Sequence, residues 1–290
     1  MIETPPLVPE GVTEQIAERV HVIPDQRVEF VPNIGIVVGD RSVLVIETAM
    51  GPRNGRRILA EAQRLGEDRK LLLTTTHFHP EHAFGAQPFA TAATYICNET
   101  QALELASKGP EYIEMFTGFG PGLAGLLAEV ELVAPDATYS GGPARLDLGG
   151  VSVELHEIGQ AHTLGDQVVF LPRERILFAG DLVENRFLPI FPDGDASGRR
   201  WLEALDRLAA LEPAIIVGGH GAVGGVELIA ALRDYLTMVR DRVSALQEDG
   251  RDLADIEHAV ATEVAEPWAD WDNQMWIKSA IGSFYSEITG

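Results

Sequence analysis

Between Thr76 and His82 the chain reads Thr-His-Phe-His-Pro-Glu-His, which packs three imidazoles and a carboxylate into six residues. Imidazole nitrogen and carboxylate oxygen are the donors a zinc-like cation takes, at roughly 2.0–2.2 Å. In an extended stretch side chains two apart share a face, so His77 and His79 can grip one ion together. Pro80 then turns the chain and lets Glu81 and His82 address a neighbouring position. Three further donors are spaced along the chain. His162 sits in Gly-Gln-Ala-His-Thr-Leu-Gly-Asp, Asp181 follows Leu-Phe-Ala-Gly, and His220 follows Ile-Ile-Val-Gly-Gly. Singly each is ordinary; with the 77–82 cluster they complete the donor set of a two-metal site.

The elements that must position these donors are legible as apolar runs. Short β-branched stretches at 20–23, 28–31, 34–38 and 43–46 open the chain as a β-meander. Residues 53–65 carry apolar side chains at helical spacing, and a short buried strand at 71–73 runs toward His77. The same grammar returns with strands at 151–158, 167–171 and 176–178, a helix over 198–211 and a strand at 214–217. Two halves of strands followed by helices predict two sheets face to face with helices outside. The donors fall just past strand ends, where a rigid scaffold usually presents chemistry.

Between the halves, 98–130 reads as helices interrupted by Gly118-Phe119-Gly120-Pro121-Gly122, a plain helix connection or a lid. From 226 the sequence is helical in character over 228–246, 253–264 and 270–288, and Trp268, Trp271 and Trp276 are expected to pack that tail onto the core. The expected organisation is a sandwich over 1–225 with a helical extension over 226–290 on the same domain.

Composition narrows the function classes. A chain of 290 residues, 46% hydrophobic, can bury a large core, and its apolar runs are too short to span a bilayer. A formal net charge of −22 disfavours nucleic acid and anionic membrane as partners and leaves a small-molecule substrate as the expectation; a homodimer is compatible with the sequence. The start, Met-Ile-Glu-Thr-Pro-Pro, lacks the basic and apolar pattern of a secretory signal, so the expected location is cytoplasmic. The single Cys97 allows no internal disulfide and reads as a small buried apolar residue. His21, His156 and His258 have no cluster around them and read as ordinary core or surface groups.

In motif, order and spacing the chain resembles the metallo-β-lactamase superfamily from the 34–47 hairpin to His220. The resemblance implies an α/β fold, a four-layer αβ/βα sandwich, here with a helical C-terminal tail. It implies that His77, His79 and His162 hold a first metal, that Glu81, His82 and His220 surround a second, and that Asp181 bridges them. Two zinc ions are the expected cofactors, with iron or manganese open. The implied activity is hydrolysis of a thioester, lactone, ester or activated amide by a metal-activated water, with Asp181 and Glu81 as the catalytic carboxylates.

Three departures from the family pattern stand out, the third of them at two positions. Glu81 stands where the family usually has Asp, so the carboxylate reaches one methylene further and bears on occupancy of the second site. Glu47 stands where a strand commonly ends in Asp, a position that orients the first ligands. Asp181 and Glu184 replace the Cys and Lys of the antibiotic-destroying branch; a carboxylate at Glu184 would repel a lactam carboxylate unless Arg186 replaces the lost cation, which disfavours true β-lactamase action. Two alternatives stay open: a single-iron persulfide dioxygenase using part of the ligand set, and a metal-binding domain without turnover. Phe116, Phe119, Glu184, Arg186, Phe187 and Phe191 are expected to line the substrate pocket because they flank the site in sequence.

Overall fold

The computed structural model describes residues 1–289; Gly290, the end of the expected tail, lies outside them. Strands β1 (Glu14–Ala17), β2 (Val20–Ile23), β3 (Ile34–Val38) and β4 (Ser42–Ile46) form an antiparallel meander. Helix α1 (Gly51–Gly66) then crosses to β5 (Lys70–Thr74), which runs parallel to β4, and a short helix α2 (Pro80–Ala83) follows it. Strand β6 (Ala93–Asn98), helices α3 (Glu99–Thr117) and α4 (Pro121–Leu127) and strand β7 (Ala137–Tyr139) complete a seven-stranded sheet in sequential order. The second sheet has five strands in the order β12-β11-β10-β9-β8, built from β8 (Ala144–Asp147), β9 (Ser152–Gly159), β10 (Asp166–Leu171), β11 (Ile176–Gly180) and β12 (Ile215–Gly218). Helix α5 (Gly198–Ala210) links its last two strands, and α6 (Glu227–Glu248), α7 (Leu253–Ala265) and α8 (Ile277–Thr289) form the tail.

The period of two along the strands builds the layers. Val43 and Val45 of β4 pack with Ile58 of α1 and Leu123 of α4, while Leu44 and Ile46 between them pack with Val169, Leu171 and Phe178 of the opposite sheet. In β10 and β11 the other faces, Val168, Phe170, Leu177 and Ala179, pack with Trp201 and Leu205 of α5 and with the tail helices through Leu236, Ile256 and Ile281. These central strands are therefore apolar on both faces, as a sheet covered by helices on one side and by a second sheet on the other requires. This is the expected four-layer αβ/βα sandwich with a helical C-terminal region. Deleting one such side chain, as in Leu44→Ala, costs about 2–5 kcal/mol through lost burial and the void left behind. Among the described residues no helix is long and apolar enough to cross a membrane.

Several elements differ from the sequence reading. The expected strand at 28–31 is a pair of turns: Val28 N–H donates to Asp25 O, Val31 N–H donates to Val28 O, and Gln26, Arg27 and Phe30 have positive φ. Pro24 and Pro32 bracket this stretch and cannot donate to a sheet ladder, so the apolar run folds back on itself. The expected helix over 270–288 begins only at Ile277; residues 266–276 are turns and a short 3-10 helix. Strands β1, β6, β7 and β8 went unread because their exposed or mixed patterns carry little periodic signal. The 118–122 stretch connects α3 to the start of α4. The N-terminal segment ties it down, with Ile2 N–H donating to Phe119 O (2.9 Å) and Gly122 N–H to Ile2 O (2.9 Å).

Candidate metal centre

The seven donors meet where β5, β11, β12 and the β9–β10 loop end on one edge of the sandwich. After β5 the chain continues through Thr75 and Thr76 to His77, and His79 then occupies the N-cap of α2 with Pro80 in its first turn. That short helix carries Glu81 and His82 inward, and both are buried. His162 is held by Asp166, whose carboxylate accepts from the N–H groups of His162 (2.7 Å) and Thr163 (3.0 Å). Asp181 follows Gly180 at the end of β11 and His220 follows Gly219 beyond β12. The approach is so close that a Cβ at Gly219 would lie 1.9 Å from Asp181 Oδ1, so only glycine fits there.

The donors form two groups, His77 with His79 and His162, and Glu81 with His82, Asp181 and His220. Within each, the candidate ligand atoms lie within 4.8 Å of one another. His79 Nδ1 is 3.0 Å from His77 Nε2 and 3.0 Å from His162 Nε2. Three nitrogens bound tetrahedrally at 2.0–2.1 Å would stand about 3.3 Å apart, so the first group needs only a small expansion to take an ion. His162 Nδ1 lies 2.8 Å from Ile190 O and donates to it, which leaves the Nε2 lone pair facing the group. Asp181 stands between the groups. Its Oδ2 is 3.8 Å from His77 Nε2 and 3.7 Å from His162 Nε2, whereas its Oδ1 is 3.2 Å from His82 Nε2 and 3.9 Å from His220 Nε2.

Buried polar atoms without hydrogen-bond partners concentrate here: His79 Nε2, Glu81 Oε2, both ring nitrogens of His82 and Asp181 Oδ1. Orphaned buried donors and acceptors of this kind are costly unless something else satisfies them. Electrostatics agree. Burial first, then the neighbouring imidazoles, holds His77 and His79 well below the usual histidine range, so both present lone pairs. Burial also lowers His162 and His220, against the pull of Asp181. His82 goes the other way: burial works against its charge, yet Asp181 and Glu47 raise it well above the usual range. Its proton thus stands where a metal cation would. Burial, partly offset by His82, pushes the Glu81 carboxyl up to about 7, so a cation bound at that carboxylate would displace a proton. The residues present fit a divalent metal site.

Glu47 reaches further than expected. It accepts from the N–H of Thr76 (3.2 Å), the residue before His77, and sits 3.5 Å from His82 Nδ1, so it braces the second group as well as the first. Its backbone has a positive φ of 77°. The pocket residues divide. A cavity of about 510 Å³ opens onto both groups, and Phe116, Phe119 and Phe187 line it. Glu184, Arg186 and Phe191 do not. Glu184 is buried behind Asp181, where burial and that carboxylate raise it well above the usual range; Arg186 is drawn outward by its ion pair with Asp270; Phe191 packs against Trp201 in the core. Trp276, expected to pack the tail, lines the cavity instead, while Trp268 and Trp271 do pack against the helical core.

Sequence reasoning missed the residues that hold the His220 loop. Asn33 Nδ2 donates to Gly218 O (3.0 Å) and Gly221 O (2.8 Å), its Oδ1 accepts from Asp25 N–H (3.0 Å), and Asp25 Oδ2 accepts from Gly221 N–H (2.9 Å). An Asn after Pro reads only as a turn, and the two carbonyls it donates to lie more than 180 residues away. Phe30, hidden in the misread strand, and Tyr112, stacked on His79 at 5.2 Å, also line the cavity.

The profile of the metallo-β-lactamase superfamily matches residues 27–220. A metallo-β-lactamase type 2 from Bacteroides fragilis is 36% identical over 87 residues, covering 29% of this chain and 35% of that protein. A linear primary-alkylsulfatase from a Pseudomonas strain is 23% identical over 247 residues, covering 73% of this chain and 45% of that protein. The chain thus spans less than half the length of these curated relatives. A metallo-β-lactamase from Pontibacter korlensis superposes with a TM-score of 0.62 at 21% identity, covering 78% of this chain and 98% of that one, a likeness of fold. With a profile match over residues 27–220, a span that includes every candidate ligand, the chain belongs to the metallo-β-lactamase superfamily.

Proposed function

We propose that the chain is a metal-dependent hydrolase that holds two divalent ions, zinc foremost, and cleaves a thioester, lactone, ester or activated amide. The observation that carries this reading is the pair of donor groups sharing Asp181 on the wall of one cavity. His77, His79 and His162 would hold one ion and Glu81, His82 and His220 the other, with Asp181 reaching both. Ions bound there would supply an activated water and polarise the scissile carbonyl. The chain's own part is positioning. Asp181, fixed by Gly219 and His82, directs its oxygens to both sides, and Glu47 keeps the His82 ring in place. Burial of the group excludes competing water and strengthens each of these interactions.

The B. fragilis relative is named for β-lactamase action and the Pseudomonas relative for cleaving linear primary alkyl sulfates. True β-lactamase action is disfavoured, because among the described residues no lysine lines the cavity and Arg27, which does, is paired with Asp272. Sulfate esters join the substrates worth testing. The test is metal analysis of the purified chain together with turnover of a panel of thioesters, lactones, carboxylic esters, alkyl sulfates and β-lactams. Two ions per chain with turnover of a carbonyl substrate is the expected result. One iron with oxygen consumption on a persulfide would overturn it in favour of a dioxygenase, and bound metal without any turnover would leave a binding domain.

A further inference from the structure

The wall of the cavity away from the donors is apolar and largely aromatic. Tyr112 stacks on His79 (5.2 Å), Phe116 on Tyr112 (6.1 Å), Phe119 meets Phe116 (5.1 Å), and Phe30 closes on both phenylalanines (5.7 and 6.3 Å). The rings make a continuous track from a candidate metal ligand to the surface. Core aromatics are normally covered, yet Phe119 is 41% exposed, and Met115 and Met275 beside the same cavity are 42% and 79% exposed. Half of the six exposed large hydrophobics among the described residues gather here, which marks a binding surface more than scattered exposure does.

The opposite wall comes from the tail. Met275 and Trp276 lie in the turn before α8, outside the 27–220 span that matches the family profile. That turn is fastened to the site: Asp272 N–H donates to Arg186 O (2.9 Å), Leu188 N–H donates to Asp272 O (3.0 Å), and ion pairs join Arg186 to Asp270 and Arg27 to Asp272. The volume of about 510 Å³ lies within the roughly 300–1,000 Å³ usual for small-ligand pockets.

We infer that this cavity is a carbon-chain pocket, in which the apolar acyl or alkyl part of the substrate lies along the Tyr112–Phe116–Phe119 track under a wall supplied by Met275 and Trp276. The inference deepens the proposed hydrolase and rests on it only for the identity of the bond cleaved. The substrate class is then a neutral ester or thioester of a medium aliphatic chain, seated so that its carbonyl reaches the donors. The exposed Glu29 on the lining, with Asp25 buried beside it, disfavours a chain that ends in a carboxylate.

Two measurements test this separately. Binding of primary alkanols from butanol to decanol to the full-length protein, read by tryptophan fluorescence, requires neither metal nor turnover. Affinity should rise about fourfold per methylene, the transfer value for burying a CH₂ group. In Phe119→Asp combined with Met275→Asp, both at exposed positions, that dependence should flatten so that decanol binds at least tenfold more weakly. No rise with chain length, or a rise unchanged in the double variant, overturns the pocket. Hydrolysis of p-nitrophenyl butanoate, octanoate and decanoate is the second arm, with kcat/KM expected to climb with chain length. Chain-dependent binding without hydrolysis of any ester would keep the pocket and discard the carbonyl hydrolase. Hydrolysis with no dependence in either arm would do the reverse.

Discussion

Replacing Asn33 with alanine probes the claim that the His220 loop is built independently of the first donor group. The Asn33 side chain satisfies two backbone carbonyls, Gly218 O and Gly221 O, and one backbone N–H, that of Asp25, all within 2.8–3.0 Å and all buried. Removing it strands three buried groups at about 1–3 kcal/mol each, so the loss of folding stability should be at least about 3 kcal/mol. The same change frees the 218–221 loop and with it His220, which belongs to the second donor group alone. Affinity for the second metal should therefore fall roughly 10–100-fold, the range for losing a group that orients a ligand, while the first stays near its starting value. Urea denaturation reads the stability, and titration of the apo-protein with zinc against a competing chelator reads the two sites. A stability change under about 1 kcal/mol would contradict the hydrogen-bond reasoning. Equal weakening of both metals would contradict the separation of the groups.

Gly219→Ala drives a Cβ to within 1.9 Å of Asp181 Oδ1, so the shared carboxylate must move; zinc content and turnover should drop together, and a variant with unaltered metal content would refute the fixed position of Asp181. Glu81→Asp should weaken the second metal by roughly tenfold or more, because the partnerless Oε2 that faces His82 and His220 would retreat by one methylene. Tighter binding, read by the same chelator competition, would mean that the longer side chain is a strain on the site. Cys97 is fully buried and burial pushes its thiol up to about 12, so at pH 8 it stays protonated and should not react with an aromatic disulfide reagent until the chain is denatured, when one equivalent should appear. Rapid reaction of the folded protein would show that β6 opens readily.

The donors were legible because metal chemistry restricts residue type, and three imidazoles with a carboxylate in six residues have few other uses. The layering was legible for a related reason: strands such as Ser42–Ile46 are apolar at nearly every position, which only a sheet covered on both faces explains. What stayed hidden depends on contacts between distant segments. The 28–31 run has the composition of a strand, and only its flanking prolines and positive-φ residues hand Phe30 to the cavity. Arg186 and Glu184 sit close to Asp181 in sequence, but one is drawn to Asp270 from the tail and the other is buried. Trp276 looked like one more packing aromatic because nothing local says that the turn before it docks on residues 186–188.

Each donor group draws on both sheets: His77 and His79 follow the first and His162 belongs to the second, just as Glu81 and His82 face Asp181 and His220. An ion bound by either group would therefore be a cross-link between halves of the sandwich that otherwise meet mainly through apolar side chains. Thermodynamic linkage gives that cross-link a size. An ion at a hundred times its dissociation constant adds about 2.7 kcal/mol to the folded state, so the melting temperature should track free zinc and fall when a chelator is added. The two halves of the fold would then separate most readily wherever the metal is scarce.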